Sequence, residues 1–301
     1  MSEIRKLPAS AGAEWLLSGF TLLRQAPLGL GSLGVIWALA ALLVMALASL
    51  SPALSTVAQL VMAMAGPLFF AGLVWAVREV EQGRPAHPRH LLQGLHDGRA
   101  LNLLAALLPQ LVAGLVLGIL LLGLIGTAGL QQLSEVMEKL NAISQSGAQP
   151  SPAEMEALAA SLPAGRILLW LLCVFVVFIA VALALFTFSP QVMFEHRNGL
   201  QALNHSLRAC VHNLLPMAVF LLLALISVFA VYFVVMIVAM IAQLIGGALL
   251  ALFVAQLALM GVVMPVFAGA VYTAWKQMSG HASTPPPVPG VPPQRNDIFH
   301  A

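Results

Sequence analysis

The stretch SPQVMFEHRNGLQALNHSLRACVHNLLP, Ser189 to Pro216, decides how this chain is read. It ends one long apolar run, sets down a charged patch, draws one amphipathic helix and opens the next apolar run. With Asn198 as N-cap, apolar side chains fall at Leu200, Leu203, Leu207, Cys210, Val211 and Leu214, steps of three and four that predict one helical face. Gln201, Asn204, His205, Arg208 and His212 take the other face. So short a helix beside a membrane-length segment is expected in the lipid interface, with Arg208 as an anchor towards the headgroups. Pro216 then removes a backbone donor and lets the chain turn into the bilayer.

The same grammar opens the chain. Trp15, Leu16, Phe20 and Leu23 form an apolar stripe, Glu14, Ser18, Thr21 and Gln25 a polar side, and Pro27 the break, with Trp15 and Arg24 as expected interface anchors. A shorter version, HPRHLLQGLHDGRALN from His87 to Asn102, precedes the third apolar run. Three such starts predict three tandem units. The far ends agree: PLFFAGLVWAVR (Pro67 to Arg78) and PVFAGAVYTAWK (Pro265 to Lys276) align without a gap, and Pro190 with VMFEHR is a truncated echo. Arg78 and Lys276, the closing bases, are read as further anchors.

On these segments, and on SLRACVHNLLP above all, the chain resembles a family of uncharacterised proteobacterial inner-membrane proteins, distantly similar to the membrane domain of glycerophosphodiester phosphodiesterases. The resemblance spans roughly residues 12–278. It implies a helical membrane fold and an inner-membrane location, and brings no activity with it.

Composition points the same way. Hydrophobic residues make up 60% of the 301 and charged residues 8%, against roughly 25% charged in soluble domains. Residues 25–77, 100–134, 167–194 and 209–275 contain no Asp, Glu, Lys or Arg. At about 20 residues per crossing, these runs hold two, one, one and two helices. The predicted fold is therefore an all-α, polytopic bundle with six transmembrane helices near 28–50, 54–78, 101–127, 167–193, 217–243 and 247–275, each unit opened by a cytoplasmic interfacial helix. Leu, Ala and Val without alternation favour helices over a barrel, and the first span is too long for a cleaved signal peptide.

With the N-terminus inside, eleven of the thirteen Lys and Arg residues face the cytoplasm and only Lys139 and Arg166 face out. The positive-inside rule selects that orientation, both termini cytoplasmic. The net charge of +2 belongs to that face and is no sign of nucleic-acid binding.

Residues 128–165 form the one sizeable outer segment. Leu130, Leu133, Met137 and Leu140 mark one amphipathic helix, and Ser151-Pro152-Ala153-Glu154 is a capping box for a second, which together read as a helical hairpin on the membrane surface. After Met278, residues 279–301 carry six prolines and no helical pattern, a disordered cytoplasmic tail whose closing Asp297-Ile298-Phe299 is a candidate docking motif for a cytoplasmic protein.

GLGSLG (Gly29 to Gly34) matches a dinucleotide fingerprint literally, but no strand precedes it and a span follows, so close helix packing is the reading. Gly114 and Gly118 carry the same expectation. Within the spans, Gln59, Gln110, Gln243 and Gln256 are the candidate buried polar positions, expected to form interhelical hydrogen bonds. The eight histidines all fall on the predicted cytoplasmic side without a Cys, Asp or Glu set beside them, and Met236/Met240 and Met260/Met264 read as apolar filler. Cys173 and Cys210 lie at different depths and are read as unpaired.

No nucleophile and base, paired carboxylates, phosphate loop or metal signature stands at the spacing chemistry requires, so no enzyme and no cofactor is expected. Two functional classes remain. The leading one is a non-catalytic scaffold or assembly factor in the lipid bilayer. The alternative is a transporter or lipid-handling protein that holds an apolar or amphipathic solute between its units.

Overall fold

The computed structural model describes residues 4–146, 151–160 and 162–280, and among these it is helical with no strand. Five helical stretches are long and apolar enough to cross a membrane: Pro27–Leu50, Pro52–Glu81, Ala100–Gln145, Ala164–Phe194 and Leu214–Met278. The protein is membrane-embedded, and "exposed" below means not covered by the rest of the chain.

In chain order the helices are α1 (Ala11–Gln25), α2 (Pro27–Leu50), α3 (Pro52–Glu81), α4 (Gln93–His96), α5 (Ala100–Leu104), α6 (Leu107–Ser146), α7 (Pro152–Ala160), α8 (Ala164–Phe186), α9 (Phe188–Phe194), α10 (Gly199–His212) and α11 (Leu214–Met278). A 3₁₀ turn, Pro88–Leu92, precedes α4. Proline writes several boundaries. Pro27, Pro52 and Pro152 stand in the first turns of α2, α3 and α7, where a missing N–H costs nothing. Pro109 and Pro190 fall where the expected third and fourth spans would be continuous. Each removes the bond to the carbonyl four residues back, and the helix breaks there, at Ala105–Ala106 and at Thr187. Pro67 and Pro265 lie inside helices that continue through the proline without a break there.

Glycine writes the rest. α11, with 65 residues, is interrupted at Gly246 and at Gly247, where φ is 76° and ψ −172°, and α6 at Gly126, with φ 72° and ψ 171°. Such backbone angles are nearly closed to any residue with a Cβ.

The amphipathic segments gather at one end of the bundle, the capped end. α1 packs along α11, so closely that a Cβ on Gly19 would lie 2.2 Å from the Val266 carbonyl oxygen. The 88–92 turn packs on α3 at Gly72, and α10 packs on α8 and α5, where the Gly199 N–H donates to Asn102 Oδ1 at 3.2 Å. A short strap from the N-terminus ties the ends together. Arg5 N–H donates to the Met278 carbonyl at 3.0 Å, Leu7 N–H to Asn213 Oδ1 at 2.8 Å, and Asn213 Nδ2 to the Arg5 carbonyl at 3.0 Å.

The core lies at this capped end. Trp15, Leu30, Leu33, Leu73, Phe188, Met193 and Phe220 are among the side chains wholly buried there. Towards the other end the helices splay and cover one another little. Gly114 and Gly118, expected to mark a close crossing, stand in the open: a Cβ at either would have nothing within 4 Å, whereas one at Gly34 would meet the Met260 carbonyl oxygen at 2.3 Å.

Two sequence expectations have direct outcomes here. Asn198 caps α10, its Oδ1 accepting from Gln201 N–H at 2.9 Å, and the Ser151–Glu154 capping box forms at the start of α7. The face that α10 turns to the protein, however, is its small-residue side, Gly199, Ala202, Ser206, Ala209 and Cys210, while Leu200, Leu207, Val211 and Leu214 are exposed. Within a membrane protein an apolar stripe is left for the lipid tails, and small residues let backbones approach.

Candidate functional site

A cavity of about 470 Å³ lies between α2, α3, α6, α8 and α11. It is a funnel. Phe178 (68% exposed) and Leu221 (50%) stand at its wide end, and Phe186, Phe188, Ser189 and Met217, all under 9% exposed, close the narrow one. Phe178 and Phe186 are eight residues apart on α8, so the funnel runs about 12 Å along that helix at ~1.5 Å per residue.

Its closed end is an aromatic floor brought together from four helices. Phe186 (α8) meets Phe220 (α11) at 5.4 Å between centroids and Phe267 (α11) at 6.3 Å, Phe267 meets Phe70 (α3) at 5.8 Å, and Trp15 (α1) backs Phe186 and Phe220 at 6.1 and 6.0 Å. Tilted and edge-on rings at these separations fill space and add roughly 0.5–1.5 kcal/mol per pair beyond burial. Pro67 and Gly66 form part of the α3 wall, and a Cβ at Gly66 would meet nothing within 4 Å. Among the described lining residues none is charged or histidine; Gln110, Ser189 and the Trp37 indole bring its polar groups.

Behind the floor sits a buried polar collar at the α8–α9 break. The Thr187 N–H freed there donates to Ser206 Oγ at 3.0 Å, Ser206 Oγ–H donates to the Leu183 carbonyl at 3.0 Å, and Gln191 Nε2 donates to Thr187 Oγ1 at 2.9 Å. Burial pushes the neighbouring Cys210 thiol up to about 12 against the opposing pull of Ser206, so it is neutral and inert.

Beyond the collar comes a layer of charges on aromatic faces. Arg78 lies 4.9 Å from the Phe194 ring centroid and 5.4 Å from that of Trp75, and Lys276 5.5 Å from that of Tyr272. Glu81 accepts from Lys276 Nζ and from the Tyr272 hydroxyl, both at 2.7 Å. Glu195 accepts from Trp275 Nε1 at 2.7 Å and Arg197 Nε at 2.6 Å. Burial pushes the Glu195 carboxyl up, but these two donors and the Arg197 charge outweigh it and hold the group below the ordinary carboxylate range.

The residues singled out by sequence fall as follows. Gln59, Gln110 and Gln243 are exposed and Gln256 is half-buried, which corrects the expectation of buried interhelical glutamines: their helices have splayed apart at that level. Gln59 satisfies itself on its own helix, Nε2 donating to Ser55 Oγ at 2.8 Å. Only Gln110 reaches the cavity. Of the expected anchors, Arg24 and Arg208 are exposed, Arg78 and Lys276 lie against aromatic rings, and Trp15 is fully buried, donating to Gln277 Oε1 at 2.8 Å. Trp15 is thus a core residue, drawn inwards because α1 docks on α11 with its aromatic face. His87 and His90 come together, ring centroids 5.6 Å apart. The docking motif and all but Ser279 and Gly280 of the tail lie outside the described residues.

The floor and the collar escaped the sequence reading. The only signal for the floor was the Phe two places after Pro in both repeated segments, Phe69 and Phe267, and only Phe267 joins it. The collar had a signal in Thr187 and Gln191, four apart across Pro190. Comparison with known proteins finds no family model that matches this chain, and neither a curated protein nor a solved structure that does so.

Proposed function

We propose that this is a six-span inner-membrane protein, built from three units, that holds the chain of an apolar or amphipathic lipid in the funnel between them. The observation that carries the reading is the uncharged cavity of about 470 Å³, open at one end and closed by aromatic rings at the other. Left empty at roughly 24 cal/mol per Å³, it would cost on the order of 11 kcal/mol, comparable with the whole stability of a typical fold. Its apolar walls give water too few partners. Hydrocarbon from the surrounding bilayer fits both constraints.

The break at Gly246–Gly247 supports six spans, since residues 214–245 and 248–278 each exceed the ~20 needed to cross. The 88–92 turn packs on α3 and α10 on α8, each a helix of the preceding pair, and α1 packs on α11 of the last pair, a repeated relation that supports three units. The eleven-to-two distribution of Lys and Arg supports cytoplasmic termini in the inner membrane, where the resemblance also puts the chain. The funnel's wide end then faces the outer leaflet. Among the two functional classes the cavity favours lipid handling, because an apolar, uncharged lining suits a hydrocarbon chain.

Native mass spectrometry of the protein released gently from its own membrane tests this. A lipid or isoprenoid-type chain at fixed stoichiometry is expected, and Gly66→Leu, which grows into open space, should remove it while the protein stays folded. A wild-type protein free of any such adduct, or a Gly66→Leu protein that keeps it, overturns the proposal.

A further inference from the structure

A second pocket, of about 310 Å³, lies at the capped end between α1, α3 and α11, apart from the funnel. Ser18, Thr21 and Gln25, the polar side of α1, form one wall; Glu81, Lys276 and Thr273 form the other. The polar face of α1 is therefore turned in part to this pocket. Here the geometry points to a binding site for a zwitterionic phosphoethanolamine headgroup of a membrane lipid.

Three observations lead there. First, position: the pocket sits at the capped end, where the apolar helices end, on a stretch of α1 and the α1–α2 junction whose Leu17 and Leu28 are 65% and 88% exposed. Second, charge: its ionic groups are one ammonium and one carboxylate, Lys276 and Glu81, whose side chains keep 19% and 37% of their surface exposed although they pair at 2.7 Å. A purely anionic group drawn to Lys276 meets Glu81 as a like charge, and a purely cationic group meets Lys276. A group that carries both signs satisfies both residues. Third, valence: Lys276 has three N–H donors and spends one on Glu81, while the carboxylate accepts from Lys276 and Tyr272 and retains further lone pairs. A phosphate takes the remaining Lys276 donors with the Gln25 amide at the rim, and a primary ammonium donates to Glu81. Choline offers Glu81 no N–H.

The test uses the full chain, stripped of lipid in detergent and titrated with dioleoyl phosphatidylethanolamine, phosphatidylglycerol or phosphatidylcholine, or with free phosphoethanolamine, by native mass spectrometry. Phosphatidylethanolamine should bind about tenfold more tightly than the other two lipids, the worth of one charge-assisted hydrogen bond, and free phosphoethanolamine should compete weakly. Glu81→Gln leaves the pocket with one net positive charge, so the preference should turn to phosphatidylglycerol, a reversal that mere loss of structure does not produce. Gln25→Ala, clear of the ion pair, should weaken phosphatidylethanolamine a few-fold and leave thermal stability unchanged. Equal binding of the three lipids, full competition by free phosphoethanolamine, or indifference to both substitutions overturns the site.

Discussion

Gly19→Ala is the substitution whose cost the structure states most directly. The new Cβ would stand 2.2 Å from the Val266 carbonyl oxygen, where ordinary contact begins near 3.4 Å, and 3.2 Å from Ala270 N. Both neighbours are backbone of α11 and cannot rotate aside, so α1 must lift by about 1.2 Å. The Trp15 Nε1–Gln277 Oε1 bond, 2.8 Å long, does not survive that lift, which costs roughly 1 kcal/mol. Overpacking a tight crossing costs about 1–3 kcal/mol more, and the better helix propensity of Ala returns about 0.5–1. The net loss is about 1–3 kcal/mol, which in a chain of this size lowers Tm by roughly 3–10 °C. Thermal unfolding in detergent followed by tryptophan emission reads this, because Trp15 itself moves from a dry core. Gly66→Ala is the control, since it makes the same chemical change where a Cβ meets nothing within 4 Å. Two variants melting together would refute the claim that α1 docks on α11 by backbone contact.

Three further outcomes follow from particular residues. His90 is buried, and that burial, helped by His87 and Arg89 and opposed by Glu79, lowers its pKa below the usual 6.5; because the unfolded chain takes up the proton first, stability should be full above about pH 6.5 and fall as pH drops through the folded value, and His90→Gln should flatten that limb of a Tm–pH curve. Asn213→Ala removes the acceptor for Leu7 N–H and the donor to the Arg5 carbonyl, costing about 1–3 kcal/mol and freeing the N-terminal strap to limited proteolysis, with unchanged cleavage counting against it. Gly247→Ala forces a Cβ into φ 76° and should cost about 1–3 kcal/mol in thermal unfolding, whereas Gly118→Ala, in helix with open space around it, should cost nothing.

Much of the local structure was legible because it is written in single residues. Asn198, the Ser151–Glu154 pair and the helix-opening prolines each act through their own backbone neighbourhood, and each does in the fold what its chemistry says. What a periodic pattern could not reveal is which medium takes the apolar side. The stripe on α10 goes to lipid and that on α1 to protein, yet both read alike, since lipid tails and leucine side chains are equally apolar. The glutamines misled for a related reason. A polar residue in a span signals a partner, but the partner of Gln59 is one turn away on its own helix, and the splay that exposes it depends on packing across the bundle. The funnel floor was nearly out of reach, for apart from Phe267 in its repeated segment, Phe70, Phe186 and Phe220 carry no sequence signal until α3, α8 and α11 converge.

The strap that joins Arg5 to Met278 makes the bundle a ring with no natural first member. Among the helices described, α1 is synthesised before α11, the helix it docks on, so its partner arrives only after the spans between them are laid down. Its amphipathic face suits that wait, lying on lipid first and on α11 afterwards. A circular permutant joined from residue 280 to residue 4 and opened at the exposed Gly83 turn would present the same neighbours in another order of birth. It would separate what the ring owes to its contacts from what it owes to its sequence of assembly.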